Sequence, residues 1–319
     1  MIVRIFDGVE SIDPVLRGAV LSVGNFDGVH LGHQRILRTA RALAHVSSAA
    51  VIAMTFEPHP VELLRPAQAP KRLTLWEEKA RHLTDVGADA IVRLKTDWSL
   101  LSMSAEDFVR DILVKRIHPS YIVEGPNFGF GRGRTGNADT LRQLSPKGGF
   151  QVHVVEPFQV HYPGDVEAMV VSSTTVRQLL AAGDVARAAA CLGRPYTLIG
   201  GVVRGAGEGK NLGYPTINLE VGGQLVPGEG VYAGWAEVRG DRHIAAISIG
   251  TRPTLGGSSL AIEAFLLGGS GDYYGEVARV DVIAFLREQR RFESPEALSE
   301  QIRRDVEGVR RTMAGCPAS

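Results

Sequence analysis

Residues 19–45 read AVLSVGNFDGVHLGHQRILRTARALAH and contain the junction from which the architecture of the first half of the chain can be predicted. The apolar run before Gly24 predicts a strand, and the apolar spacing over 34–45 predicts a helix. The glycines between them let the backbone approach a ligand closely, and the amides of a helix N-terminus carry partial positive charge. His30 and His33 project the same way. The junction therefore suits nucleotide phosphates; a turn glycine with two surface histidines is the alternative.

Strands and helices continue to alternate up to about residue 182, which predicts a mostly parallel sheet with right-handed crossovers. The expected strands are 19–23, 49–56, 90–94, 121–123 and 151–157, and the expected helices are 34–45, 76–86, 104–117, 140–144 and 174–182. Ligands of such sheets bind beyond the carboxyl ends of the strands. The glycine-rich turns after Val23 and Val123 lie at those ends.

From about residue 195 the segments become short, glycine and proline are more frequent, and apolar residues alternate with polar ones. This texture predicts a small antiparallel barrel or sandwich. Its strands are expected at 197–204, 232–238, 243–249, 262–267 and 278–286, before a final helix over 295–309 that Ser294 caps. We expect the boundary near 184–194, with domains 1–186 and 187–319.

Composition excludes several classes of protein. Lys plus Arg number 35 and Asp plus Glu number 35, so a global basic field for nucleic acid is absent. Cys191 and Cys316 form neither a zinc-ligand pattern nor a disulfide framework, which fits a reducing compartment. The most apolar stretch, 49–54, is far shorter than the ~18–20 residues that span a bilayer. We expect a cytoplasmic protein with small-molecule partners and without nucleic-acid or membrane partners; its oligomeric state stays open.

Two glycine patterns fail as nucleotide motifs. Gly131–Gly136 matches GxGxxG, but the pattern begins eight positions after the end of the preceding strand and two arginines occupy the turn. A basic flap over phosphates, or simply solvated loop arginines, therefore fits better than a dinucleotide site. A Walker A loop ending at Lys210 would need glycine in place of Arg204 and a hydroxyl residue in place of Asn211. A glycine loop with cations remains, and its backbone amides can still wrap phosphates.

The segment GNFDGVHLGH resembles the HxGH signature of nucleotidyltransferases, in the version found in bacterial bifunctional riboflavin kinase/FAD synthetases. Three further segments match in order: TFEPHP at 55–60, GPNFGFG at 125–131 and VSSTTVR at 171–177. The resemblance implies a Rossmann-like α/β domain that transfers AMP from ATP to FMN. Such a reaction needs alignment and charge neutralisation more than covalent chemistry by the protein.

The resemblance also implies roles for residues of this domain. His30 and His33 would bind the phosphates and the developing charge. The expected ATP site comprises Gly24, Asn25, Phe26, Ser172, Ser173, Thr174 and Arg177, and the expected flavin contacts of this domain are Asn127, Phe130 and His59. In the kinase domain, Arg287 is expected to reach the flavin or its phosphate, and a solvated position is its alternative. Glu57 could act as a general base, although a phosphate nucleophile does not need one.

The second half resembles riboflavin kinases. LGYPTIN at 212–218 is similar to their LGFPTAN signature, and 227–233, 246–254 and 262–267 follow in the family order. In a strand, Thr216 and Asn218 would share one face and offer oxygen ligands that suit Mg²⁺. Glu263 would be the general base, because riboflavin presents a hydroxyl that must lose a proton. The expected kinase phosphate contacts are Gly205, Gly207 and Lys210.

One departure follows Glu263. Family members usually carry acidic residues in the next loop, whereas residues 268–272 here read GGSGD and keep only Asp272. The role of that loop in closing over the flavin is therefore open. A strand glutamate that merely faces solvent is the alternative for Glu263 itself.

Taken together, the motifs predict a bifunctional enzyme of flavin cofactor synthesis: an α/β nucleotidyltransferase domain followed by a small antiparallel β-barrel kinase domain with a C-terminal helix. It would use ATP as co-substrate and Mg²⁺ as cofactor, with riboflavin, FMN and FAD as substrates and products. Three alternatives stay open. They are a nucleotidyltransferase for another phosphorylated acceptor with a non-catalytic flavin-binding barrel, a flavin- or nucleotide-binding regulator, and an NAD-dependent oxidoreductase.

Overall fold

The computed structural model describes residues 3–204, 215–254, 257–290 and 292–316. The chain divides into two compact units between Ser172 and Ser173. This division precedes the expected boundary near 184–194, where the chain forms a helix that Asp184 caps by accepting the Arg187 N–H at 3.1 Å. The domain limits at residues 186 and 187 stay a prediction.

The first unit is built on a six-stranded parallel sheet with the order β1-β4-β3-β2-β5-β6. The strands are β1 (Arg4–Asp7), β2 (Val20–Gly24), β3 (Val51–Glu57), β4 (Ala90–Lys95), β5 (Tyr121–Glu124) and β6 (Gln151–Val154). Every strand expected in this half is present. The additional β1 has a mixed RIFD sequence without a continuous apolar run, because it forms the exposed edge of the sheet.

Helices cover both faces of this sheet. They are α1 (Leu31–Ser47), α2 (Pro60–Leu64), α3 (Trp76–Asp85), α4 (Trp98–Ser102), α5 (Ala105–Asp107), a directly following π-helix (Phe108–Ile117) and α6 (Ala138–Gly148). One core lies around Leu37 of α1 and Leu83 of α3; the other lies around Leu113 of the π-helix and Leu141 of α6. All four leucines are fully buried, and each such burial contributes about 1.5–3 kcal/mol.

Short elements complete the first unit. Single 3₁₀ turns occur at Val9–Ser11, Pro14–Leu16, Pro66–Gln68 and Arg132–Arg134, and β7 (Gln159–Val160) pairs antiparallel with β8 (Met169–Val170). The expected N-cap of the 104–117 segment is confirmed, since Ser104 Oγ accepts the Asp107 N–H at 3.0 Å.

The second unit contains a closed antiparallel barrel with the order β10-β13-β12-β11-β14-β9, in which β10 also pairs with β9. Its strands are β9 (Tyr196–Val203), β10 (Thr216–Glu220), β11 (Gly230–Val238), β12 (Asp241–Thr254), β13 (Gly257–Leu267) and β14 (Val277–Arg287). Alternation fills the interior: Ile217 and Leu219 on β10 and Ile262, Ala264 and Leu266 on β13 are buried. The expected barrel is confirmed.

The described part of the second unit contains the helices α7 (Ser173–Ala181), α8 (Val185–Leu192) and α9 (Pro295–Met313). Ser294 caps α9 as expected, because its Oγ accepts the Ala297 N–H at 3.2 Å. Val309 and Met313 of α9 are buried against Ala233 and Ala246 on the barrel wall. The apolar stripe of α9 therefore covers the side of β11 and β12 that does not face the barrel interior.

Candidate active sites

The junction 24–33 follows β2, at the point where the strand order of the parallel sheet reverses. After β2 the chain places β3 and then β4 on one side, where β1 forms the edge, and afterwards returns to the other side of β2 with β5 and β6. Such a switch point opens a crevice at the carboxyl ends of the strands. The β2–β5 ladder pairs Leu21 with Ile122, and beyond it the side chain of Glu124 accepts the Val23 N–H at 2.5 Å. A buried carboxyl group thus connects the ends of β2 and β5, between which the crevice opens.

The backbone of this junction is strained and braced. Phe26 and Val29 have left-handed φ values of 48° and 40°, which a β-branched valine rarely adopts. Asp27 is buried, and its carboxylate accepts the N–H groups of Leu73 and Thr74 at 3.1 and 3.2 Å. The Gly28 N–H donates to the Thr74 hydroxyl at 2.9 Å. The segment after α2 therefore holds the loop in a conformation that its own sequence disfavours.

The two histidines of the HxGH motif are stacked. Their ring centroids lie 3.7 Å apart with an interplanar angle of 19°. His30 caps α1, since its Nδ1 accepts the His33 N–H at 3.3 Å. A Cβ at Gly32 would lie 3.1 Å from the His30 ring and 3.6 Å from the Val171 carbonyl oxygen. The glycine thus leaves room for the His30 ring and brings the chain just before Ser172 next to the loop.

Buried polar atoms of the loop point to a ligand. Within the described residues, His33 Nδ1 and Asn25 Oδ1 are buried without a hydrogen-bond partner. Leaving such atoms unsatisfied costs about 1–3 kcal/mol each, which a bound ligand would recover. Burial, together with the charges of His30 and Lys79, holds the pKa of His33 well below its usual range. His33 therefore stays an uncharged imidazole at neutral pH.

The remaining predicted ATP residues fall into two groups. Gly24 ends β2, the Asn25 carbonyl accepts the Thr55 hydroxyl at 3.1 Å, and Phe26 is buried with its ring edge-on to His33 at 5.2 Å. Ser172 ends the first unit. The other group, Ser173, Thr174 and Arg177, lies on α7 in the second unit.

The predicted flavin residues of the first unit differ in accessibility. Asn127 is exposed, whereas Phe130 is buried in the core and stacks on Phe128 with centroids 5.2 Å apart. Phe128 is only partly buried, so its ring is more accessible than that of Phe130. His59 caps α2, its Nδ1 accepting the Val61 N–H at 3.2 Å.

The GxGxxG pattern has no dinucleotide geometry. Phe130 and Gly136 exchange two backbone hydrogen bonds of 3.0 and 2.9 Å, which close a short loop around the 3₁₀ turn of Arg132–Arg134. The Arg134 guanidinium donates to the Asn127 carbonyl at 3.2 Å. A Rossmann motif would instead join a strand directly to a helix.

Sequence reasoning missed a charged cluster beside the loop. Glu57, the last residue of β3, pairs with Arg72 at 2.8 Å and with the buried Lys79 at 3.5 Å. A cavity of about 890 Å³ opens at the carboxyl ends of β1, β3 and β4, and Glu57 lines it. The cluster could not be predicted because its residues are far apart in the sequence. The TFEPHP segment was the one signal that marked Glu57.

In the barrel, the predicted kinase residues lie on the outward face of β10 and β13. Asn218 stands directly opposite Glu263, and Glu263 also stands opposite Ser248 on β12. Opposed side chains of antiparallel strands have Cβ atoms about 4.5–5.5 Å apart. Thr216 lies two residues from Asn218, and its buried Oγ1 lacks a hydrogen-bond partner within the described part of the chain. The register therefore gathers a hydroxyl, an amide and a carboxylate on one face.

The other predicted kinase residues lie away from this face or outside the described residues. Gly205, Gly207 and Lys210 lie outside the described residues. Arg287 makes a bidentate ion pair with Asp305 of α9 at 2.8 and 2.6 Å. In the loop after β13, the Asp272 carboxylate accepts the Tyr274 N–H at 3.0 Å.

Comparison with known proteins assigns a family to each half. The family described as FAD synthetase matches residues 12–174, and the family described as riboflavin kinase matches residues 192–313. The chain is 36% identical over 289 residues to the bifunctional riboflavin kinase/FMN adenylyltransferase of Escherichia coli K12, covering 90% of both chains. The protein of the same name from Pseudomonas fluorescens is 36% identical and matches 95% of this chain and 96% of its own.

A solved structure matches the fold almost completely. It is described as a macrolide-efflux protein from Streptococcus pneumoniae, is 27% identical, and superposes with a TM-score of 0.85 over 97% of this chain and 99% of its own. Among the residues that the structure describes, no helix is long and apolar enough to cross a bilayer.

Proposed function

The chain belongs to the bifunctional riboflavin kinase/FMN adenylyltransferase family, and on this premise we propose how its own residues carry the two reactions. The riboflavin kinase half phosphorylates riboflavin to FMN with ATP, and the FAD synthetase half transfers AMP from a second ATP to FMN. The products of the second step are FAD and pyrophosphate. The sites of the two reactions are built for nucleophiles of different chemistry.

In adenylyl transfer the FMN phosphate attacks the α-phosphorus of ATP. The nucleophile is already ionised, so catalysis rests on alignment and on donors aimed at the developing charge. His30 and His33 are the proposed catalytic donors, and their stacking at a braced helix N-terminus supports this role. Gly24, Asn25 and Phe26 would hold ATP at the same loop. The hydroxyls of Ser172–Thr174 and the Arg177 guanidinium would bind the departing pyrophosphate.

We place the flavin of this reaction in the cavity at the carboxyl ends of β1, β3 and β4. Its volume of about 890 Å³ lies within the ~300–1,000 Å³ range of small-molecule sites. Apolar side chains such as Leu100, Met103 and Ile112 line one part of it, as an isoalloxazine ring requires. Asn127, Phe130 and His59 remain the proposed flavin contacts from the neighbouring loops.

In the kinase, Glu263 is the proposed general base for the riboflavin hydroxyl. Its position opposite Asn218 carries this proposal, because it sets the base beside the predicted cation ligands. Thr216 and Asn218 would hold Mg²⁺, and the unsatisfied Thr216 Oγ1 fits a hard oxygen-seeking cation. When bound, the ion would neutralise phosphate charge on ATP. Gly205, Gly207 and Lys210 would contact the same phosphates, and Arg287 would reach the flavin or its phosphate.

A cytoplasmic location remains a prediction. It rests on the two free thiols, Cys191 and Cys316, which fit a reducing compartment.

The Asn218–Glu263 pair is the single observation that most favours a catalytic barrel over a binding module. The test is to incubate the purified chain with riboflavin, ATP and MgCl₂ and to separate FMN from FAD by chromatography. Formation of both products is expected. FAD formation from added FMN without phosphorylation of riboflavin would instead establish a transferase with a non-catalytic barrel. Chelation of Mg²⁺ with EDTA should abolish the formation of both products. Undiminished formation of FMN would contradict the assignment of Mg²⁺ as cofactor.

A further inference from the structure

The segment 71–79 is joined to the HxGH loop. The Asp27 carboxylate accepts the Leu73 and Thr74 N–H groups, and the Thr74 hydroxyl accepts the Gly28 N–H. These hydrogen bonds are buried, so water does not compete for their donors and acceptors. Side chains that project from 71–79 therefore have fixed positions relative to the histidine pair.

Two cations of this segment meet at one carboxylate. Arg72 Nη2 lies 2.8 Å from Glu57 Oε1 and Lys79 Nζ lies 3.5 Å from Glu57 Oε2. Arg72 also bonds Glu62 at 3.1 Å, which fixes its guanidinium from the other side. Lys79 is only 6% exposed, and a buried ammonium needs strong compensation. Its contact with Glu57 is longer than an ideal hydrogen bond of about 2.7–3.2 Å, so it leaves donor capacity for a ligand.

The cluster joins the cavity to the histidines. Glu57 lines the cavity, and its strand β3 neighbours β2, whose Gly24 is in register with Thr55. The Thr55 hydroxyl donates to the Asn25 carbonyl, so the end of β3 is bonded to the loop. The charge of Lys79 also acts on His33, where it contributes to lowering the pKa of the imidazole. The cluster is therefore connected to the cavity through Glu57 and to the groups that fit ATP phosphates through the end of β3 and the charge of Lys79.

We propose that Arg72 and Lys79, oriented by Glu57, form the seat for the phosphomonoester of the adenylyl acceptor. This assignment deepens the adenylyl transfer proposed above and rests on it. The acceptor phosphate has to approach the α-phosphorus at the histidines while its flavin stays in the cavity. Two fixed cations along that route neutralise the repulsion between the acceptor phosphate and ATP. They also discriminate a phosphorylated flavin from riboflavin, which lacks that charge.

The test compares the K79M and R72M variants of the full chain with the wild-type protein in FAD formation from FMN. Each charge-assisted hydrogen bond that is lost should raise the KM for FMN by about tenfold to a hundredfold. The KM for ATP should stay within about twofold. A flavin with neither 5′-phosphate nor 5′-hydroxyl, used as a competitive inhibitor, should keep its inhibition constant. The cations would then be shown to recognise the phosphate and not the ring.

Two further variants separate this role from a structural one. K79R keeps the charge and should recover most of the affinity for FMN. K115M removes an exposed lysine from the π-helix and should leave both KM values unchanged. If K79M and R72M raise both KM values and the inhibition constant together, the cluster is only structural and the proposal is overturned. An unchanged KM for FMN would overturn it too, whereas an absence of FAD formation by the wild-type chain would instead contradict the proposed function.

Discussion

The two proposed sites of this chain differ in how they are built. The transferase site is a strained loop at the switch point of a parallel sheet, with stacked imidazoles and cations fixed by carboxylates. The kinase site is the outward face of a regular antiparallel ladder, where register alone sets Asn218 opposite Glu263. The two sites differ because their nucleophiles differ. A phosphate needs its charge neutralised, whereas a hydroxyl needs a base that removes its proton.

The largest effect should come from Glu263→Ala. Loss of a general base lowers a rate by about 10²–10⁴-fold, so FMN formation from riboflavin should nearly cease. FAD formation from supplied FMN should continue at the wild-type rate. Both rates can be measured on one preparation by chromatography of the flavins. Residual phosphorylation close to wild type would show that Glu263 is not the base.

The second effect should come from His30→Ala. Removing one donor to the developing charge costs about 10²–10³-fold, and loss of the α1 cap adds local disorder. FAD formation should fall by this factor while riboflavin phosphorylation persists. His45→Ala, in the exposed last turn of the same helix, serves as the matched control. Equal loss of both activities in His30→Ala would contradict two separable sites.

A smaller effect is expected from Thr216→Val, which keeps the shape of the side chain and removes the oxygen. The hydroxyl is buried and is proposed to bind Mg²⁺, so the kinase should need roughly tenfold more Mg²⁺ for half-maximal rate. The Mg²⁺ dependence of FAD formation should not move. A kinase whose Mg²⁺ requirement is unchanged would remove Thr216 from the metal site.

The smallest expected effect is a change in thermal stability on substitution of Glu124, which connects the ends of β2 and β5 in the transferase sheet. Burial raises the pKa of this carboxyl well above its ordinary value near 4.5. The stability that its neutral form supports is therefore complete below pH 4.5 and is lost as pH rises toward the folded-state pKa. Glu124→Gln stays neutral and can still accept the Val23 N–H through its amide oxygen.

Calorimetry should therefore find wild type and Glu124→Gln melting together at pH 4. At pH 8 the variant should melt higher, by roughly 2–4 °C for each kcal/mol of relieved cost. A variant that melts below the wild type at pH 8 would show that the charged carboxylate, and not the neutral acid, supports the fold at that pH.

Much of the fold could be predicted because it depends on local signals. The apolar spacing of 34–45 corresponds to α1, and the alternation after residue 195 corresponds to the barrel. Ser104 and Ser294 act as N-caps as their sequence context predicts, because capping bonds reach only three residues along the chain. The edge strand β1 escaped prediction because its exposed face removes the apolar run that marks a buried parallel strand.

The candidate sites divide in the same way. The glycine-histidine loop, the Thr216–Asn218 spacing and the family motifs could be recognised without a structure, since each depends on residues close together in the chain. The folded arrangement was needed to show that Arg72 and Lys79 contact Glu57, that Glu124 bonds to Val23, and that Asn218 stands opposite Glu263. Strand order and register bring these residues together. They join residues separated by up to 101 positions in the chain, and such pairings depend on the packing of the whole sheet rather than on any local pattern.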